Sequence, residues 1–71
     1  MEHIIEEVSD AVHATWMQAK RTAGVTTRRL ESGEELMVAY ANLSEQAKDL
    51  DRGTVRTVIR ALADLGYRIE K

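Results

Sequence analysis

Arg52, Arg56 and Arg60 stand at i, i+4 and i+8. On a helix that spacing makes one row of guanidinium groups. Planar forks of N–H donors match phosphate oxygens two at a time, so the row suits an anionic ligand. Arg28 and Arg29 would join it from a loop. The competing reading is a solvated row, or one paired to the acidic start of the first helix. Asp51 either caps a helix or accepts from a ribose hydroxyl or a base amine. Arg52, beside it, either faces a phosphate or ties down the first helix. Trp16, the single tryptophan, is either a core anchor or a platform on which a base stacks. Tyr40 and Tyr67 read as rings at the core edge whose hydroxyls find a partner.

Catalysis finds little to work with. There is no Ser/His/Asp order, no pair of carboxylates in a fixed loop and no phosphate-binding glycine loop. His3 and His13 both fall on the first helix without a nucleophile beside them. His13 reads as a boundary histidine that bonds a backbone carbonyl. There is no cysteine, so disulfides and thiolate metal sites are excluded, and no cofactor is expected. The expectation is a non-enzymatic protein.

Seventy-one residues make one domain, residues 1–71. A chain this short buries only about 60% of its unfolded surface, so a compact helical core and self-association must supply its stability. Ten basic residues face twelve acidic ones, a net charge of −2. That balance disfavours a general nucleic-acid coat, which needs a basic excess. The start of the chain is too acidic for a signal peptide, and no apolar run approaches the ~18 residues of a membrane helix. A cytoplasmic location is expected, without a membrane partner.

The elements that must position these residues follow from periodicity. Ile4, Ile5, Val8, Ala11, Val12, Thr15, Trp16, Ala19 and Ala23 recur at three- and four-residue spacing, one apolar stripe on a helix over about residues 2–23. Acidic residues crowd its first turns and Lys20 and Arg21 its last, as the helix dipole favours. Gly24 is a natural stop. Between 25 and 42 the reading divides. Val25-Thr26-Thr27 suits an extended segment, and the turn signal Glu31-Ser32-Gly33-Glu34 allows a hairpin pairing 25–30 with 35–40. A short helix over Glu34–Asn42 competes. Ser44 should cap a helical turn, with Asp51 as a second cap. Val55, Val58, Ile59, Leu62 and Leu65 continue at helical spacing to Gly66, and Tyr67-Arg68-Ile69 alternates like a closing strand. The fold class is mainly α with a minor α+β element: two antiparallel amphipathic helices with short extended pieces. Met17 and Met37 read as filler or interface residues.

Taken in order, His13, Trp16, Lys20, Gly24, Tyr40, Leu43, Glu45, Lys48, Asp51, Arg52, Val55 and the closing Leu65-Gly66-Tyr67 resemble the Ry domain. This is the repeat first recognised in ryanodine receptors, also found alone in bacterial and phage proteins. The resemblance runs from about residue 4 to residue 69. Two elements differ. The family's Gly-Trp-x-Tyr-Gly run is Gly24-Val25-Thr26-Thr27-Arg28 here, and no proline flanks Tyr40. The resemblance implies a ligand-binding module for an adenine nucleotide or another nucleotide-derived molecule. In prokaryotic and phage settings it would be a sensor or sequestering protein in anti-phage signalling. It also implies a homo-oligomer, because receptor repeats occur as two-fold pairs. With the family's tryptophan missing, stacking would fall to Trp16, Tyr40, Tyr67 or an arginine plane. Lys20, Arg28, Arg29, Asp51, Arg52, Arg56 and Arg60 would complete the ligand-binding set.

Two other functions compete. One is an interaction module, a homodimer or a docking subunit, using Met17, Met37 and Leu36–Tyr40. The other is a small helix-turn-helix DNA binder with its basic row on the last helix; the net acidic charge weighs against it.

Overall fold

The computed structural model describes residues 2–68. Two helices dominate: α1, Glu2–Thr22, and α2, Glu45–Asp64. One 3₁₀ turn, Tyr40–Asn42, precedes α2. Glu2 meets Arg56, Glu6 meets Arg52 and His13 faces Asp51. Numbering therefore rises along α1 as it falls along α2, which makes the antiparallel hairpin that the two amphipathic segments imply.

Both helices stop by the same device. Gly24 N–H donates to Arg21 O (2.9 Å) and Val25 N–H to Lys20 O (2.8 Å). At the other end Gly66 N–H donates to Ala63 O (3.0 Å) and Tyr67 N–H to Leu62 O (2.9 Å). Each pair closes the last turn onto carbonyls the helix leaves unsatisfied, and needs a left-handed residue at the glycine. Gly24 has φ +82° and Gly66 φ +92°.

α2 starts where the sequence reading places it. The Ser44 hydroxyl accepts from Ala47 N–H at 3.1 Å. The second cap does not form: Asp51 lies inside one continuous helix that also runs through Gly53. Arg52, bound to Glu6 of α1, holds those turns in register, and Val55 is buried one turn further on. Tyr67 and Arg68 are not in a strand, and Ile69 lies outside the described residues.

The expected hairpin shrinks to a single antiparallel bridge, Arg29 with Glu35, around Gly33 at φ +93°. The competing helix over 34–42 is realised only in the 3₁₀ turn. Two carboxylates explain both outcomes. Glu35 accepts from Arg28 N–H (2.7 Å), Met37 N–H (3.0 Å) and the Thr27 hydroxyl. Donors that a ladder or a helix would use thus go to a side chain. Glu34 reaches the other way and accepts from Ser44 N–H (2.9 Å) and Ser44 Oγ–H (2.6 Å), bracing the cap of α2.

The buried face of α1 differs from the expected stripe. Ile5, Ser9, His13 and Met17 turn inward, whereas Val8 and Val12 remain 39% and 43% exposed. Tyr40, Leu43 and Ala47 form the centre of the core, with Leu30, Leu36 and Val38 packed against it. The interface expected over Met17 and Leu36–Tyr40 is therefore not a free surface: Met17 and Tyr40 are buried, and Leu36 and Val38 close the core. No helix among the described residues is long and apolar enough to cross a membrane.

Candidate binding cleft

The basic row is largely spent inside the molecule. The Arg52 side chain is 13% exposed and grips Glu6 with two donors, Nε to Oε2 (2.8 Å) and Nη2 to Oε1 (2.6 Å). Its third nitrogen, Nη1, donates to Asp49 (2.9 Å) and Glu45 (3.2 Å). Tyr40 Oη donates to the same Glu6 at 2.8 Å. The arginine and the tyrosine hold the Glu6 carboxyl at about 2, below its usual 4.5. Burial and the neighbouring Glu6 push the Tyr40 phenol up. Arg56 pairs with Glu2 at 3.1 Å. Arg60 is exposed and has no ion-pair partner among the described residues. This is the paired alternative for the row: it clamps α2 to the acidic start of α1 rather than facing a vacant anion site.

A different group of candidates converges on the other flank of the hairpin. Trp16 and Asp51 line a cleft of about 130 Å³. Val12, Leu36, Leu43 and Leu50 supply its apolar walls, and His13 its buried base. The His13 and Trp16 rings stack at 5.5 Å with a 25° tilt. Trp16 is half-buried, so part of its ring stays available. The Lys20 ammonium lies 6.0 Å from that ring, within cation–π range.

His13 and Asp51 make the polar end of the cleft. Val38 O, a carbonyl, can only accept, so His13 Nε2 carries a proton and donates to it at 2.7 Å. His13 is thus the carbonyl-bonding histidine of the sequence reading, placed in the core instead of at its boundary. Its Nδ1 then faces Asp51 Oδ2 at 3.6 Å. That contact is attractive only with a further proton on one of the two groups. Burial pushes the Asp51 carboxyl up, and the charge of His13 acts against the push.

The remaining candidates are dispersed. Arg28 and Arg29 are exposed on the bridge loop, where Arg29 Nε meets Glu35 at 3.5 Å. Glu35 is held at about 2 by the Arg28 N–H, the Thr27 hydroxyl and the Met37 N–H. The Ser44 donors lower Glu34 as well. Tyr40 is core, with the Lys48 ammonium 5.5 Å from its ring. Tyr67 is 65% exposed. Reading the sequence for chemistry missed Glu6, Glu34 and Glu35 as organising residues. Their individual contacts were not legible, since their partners lie from 2 to 46 residues away. No cluster of metal-ligating side chains occurs among the described residues.

The fold and the cleft define a small helical-hairpin domain with a partly open apolar hollow between its helices. The RyR domain family model matches residues 1–71, the whole chain, and the protein belongs to that family. No curated protein and no solved structure gives a significant match.

Proposed function

We propose that this RyR domain is a non-catalytic binding module that takes the base of a nucleotide-derived molecule in the Trp16–Asp51 cleft. The observation that carries the reading is the half-buried Trp16 ring, backed by His13 and set beside a carboxylate, at the edge of an apolar hollow. A planar base would stack on the indole face, an interaction on the order of 1–3 kcal/mol per base. Asp51 would accept from an exocyclic amine of that base. A carboxylate at the inner end repels phosphate, so the phosphate points outward, on the side where the Lys20 ammonium lies 6.0 Å from the Trp16 ring.

The volume sets the size of what enters. About 130 Å³ is below the ~300 Å³ at which sites for whole drug-sized ligands begin. It accommodates one ring system, with ribose and phosphate outside. The family's adenine-nucleotide association favours an adenine base. A DNA reader is less well supported, because two of the three arginines in its recognition row are tied to Glu2, Glu6, Glu45 and Asp49.

Because Trp16 is the only tryptophan, its fluorescence reports the site directly. Titration with AMP should give saturable quenching. Asp51→Asn should weaken it at least several-fold, and purine riboside, which lacks the amine, should bind the wild type less tightly than adenosine. Unchanged emission across mono-, di- and cyclic adenine nucleotides would remove this reading.

A further inference from the structure

His13 and Asp51 face each other at the polar end of the cleft without bonding. Nδ1 and Oδ2 stand 3.6 Å apart, beyond the ~3.2 Å at which an N–H···O bond closes. Neither atom has a hydrogen-bond partner among the described residues. Both residues line the hollow, so each keeps its bonding capacity for something that enters. The rest of the His13 ring is fixed. Nε2 donates to Val38 O at 2.7 Å, and the Trp16 ring stacks on its face. Nδ1 is the one point of the ring whose chemistry can change. Without a second proton it is a lone-pair acceptor, and with one it is a donor.

The groups around the pair do not neutralise it. On α1, the Lys20 ammonium lies 6.0 Å from the Trp16 ring. The 3₁₀ turn brings the Tyr40 ring, 6.3 Å from that of His13, with its hydroxyl committed to Glu6. On α2, Lys48 lies over the Tyr40 ring, and Arg52 is spent on Glu6, Glu45 and Asp49. The loop before the turn contributes the Val38 carbonyl. With no second proton, a carboxylate and an imidazole lone pair oppose each other at the base of an apolar hollow. One shared proton removes both the opposition and the net charge, each of which is costly away from water. The burial that pushes the Asp51 carboxyl up acts in the same direction.

We propose that His13 Nδ1 and Asp51 act together as a two-point reader of the base edge, a donor beside an acceptor, and that the donor half exists only while the pair holds one proton. This rests on the ligand reading above and adds what the site selects. An exocyclic amine donates to Asp51, and the unprotonated ring nitrogen next to that amine accepts from His13 Nδ1–H. Adenine presents that combination on its pairing edge. Hypoxanthine reverses it, with a ring N–H beside a carbonyl acceptor. When the pair loses its proton, Nδ1 turns a lone pair toward the lone pair of the adenine ring nitrogen. Adenine then loses one bond and meets a repulsion in its place. Its affinity therefore falls as pH rises.

Calorimetric titration of the wild-type chain with adenosine and with inosine, from about pH 5.5 to about pH 8, spans the range where a histidine ordinarily changes charge. Nucleosides carry no phosphate, so the ligand's own charge stays constant there. Adenosine should bind at least about tenfold more weakly at the alkaline end, the cost of one hydrogen bond to a charged donor. Inosine should not share that fall. A ligand-free measurement stands beside the titration. An imidazolium stacked on an indole quenches its fluorescence, so Trp16 emission should rise through one step as the pair loses its proton. His3 is exposed and almost three turns earlier on α1. Adenosine affinity that is flat with pH, or an equal fall for inosine, overturns the two-point reader and leaves the cleft as a plain stacking site. Trp16 emission without a step overturns it as well. Binding of neither nucleoside at any pH removes the ligand reading, and this one with it.

Discussion

Replacing Ser9 with alanine should make the protein more stable. Ser9 is fully buried at 0% exposure, mid-way along the face of α1 that packs inward, and its Oγ has no hydrogen-bond partner among the described residues. A buried hydroxyl without a partner costs about 1–3 kcal/mol on scales drawn from protein mutants. Serine also trails alanine in a helix interior by up to ~0.7 kcal/mol. Against these stands the loss of one oxygen's packing contacts, at about 0.1–0.2 kcal/mol each. The net is a gain of roughly 1–2 kcal/mol. For a domain of this size each kcal/mol moves the melting temperature by roughly 4–8 °C. Thermal circular dichroism at one fixed protein concentration reads the change without interference from self-association. Ser9→Val should do the reverse, losing about 1–3 kcal/mol, because added methyl groups have no space where the helices meet. A lower melting temperature for Ser9→Ala would show that the hydroxyl is satisfied, and the reasoning about this helix contact would fail.

Other outcomes follow from the same contacts. Glu6 and Glu35 both sit at about 2 in the folded chain, below the usual 4.5. The unfolded chain therefore binds protons on them first as pH falls. Their stabilisation is complete above about 4.5 and drains as pH drops toward 2. Urea midpoints from neutral pH downward should show this slope, and Glu6→Gln should flatten it; Asp51, raised by burial, contributes in the opposite sense. Gly53 lies inside α2 with open space where a Cβ would go, so Gly53→Ala should stabilise by about 0.5–1 kcal/mol. Gly33, at φ +93°, should respond oppositely, with Gly33→Ala costing about 1–2 kcal/mol; chemical denaturation compares the two. Ser44→Ala should lose about 1 kcal/mol through the α2 cap.

Helix starts and stops were legible because they follow local rules. Gly24, Gly66 and Ser44 act within a few residues of themselves, and the chain obeys them. The buried face of α1 was not legible. Val8 and Val12 outrank Ser9 and His13 on any hydropathy scale, yet the polar pair turns inward. His13 does so because Val38 O, 25 residues away, accepts from its Nε2. Asp51 read as a second cap, and only the Arg52 clamp on Glu6 shows why one helix runs through it. The arginine spacing was read correctly as a row on one face. The use of Arg52 and Arg56 was decided by Glu6 and Glu2 on the far helix, which periodicity cannot place, with Glu45 and Asp49 adding to Arg52 from its own helix. For the cleft, Trp16 and Asp51 were each singled out with both of their alternatives open. Their meeting depends on the antiparallel register that the Glu2–Arg56 and Glu6–Arg52 pairs establish.

The central claim is that the receptor site is the Trp16–Asp51 cleft and not the arginine row. Amide and indole chemical-shift mapping of the wild-type protein during AMP titration tests it most directly. The account predicts saturable shifts at the Trp16 indole, His13, Leu36, Leu50 and Asp51, with little change at Arg56 and Arg60. Shifts centred on Arg56 and Arg60 with a silent Trp16 would contradict it.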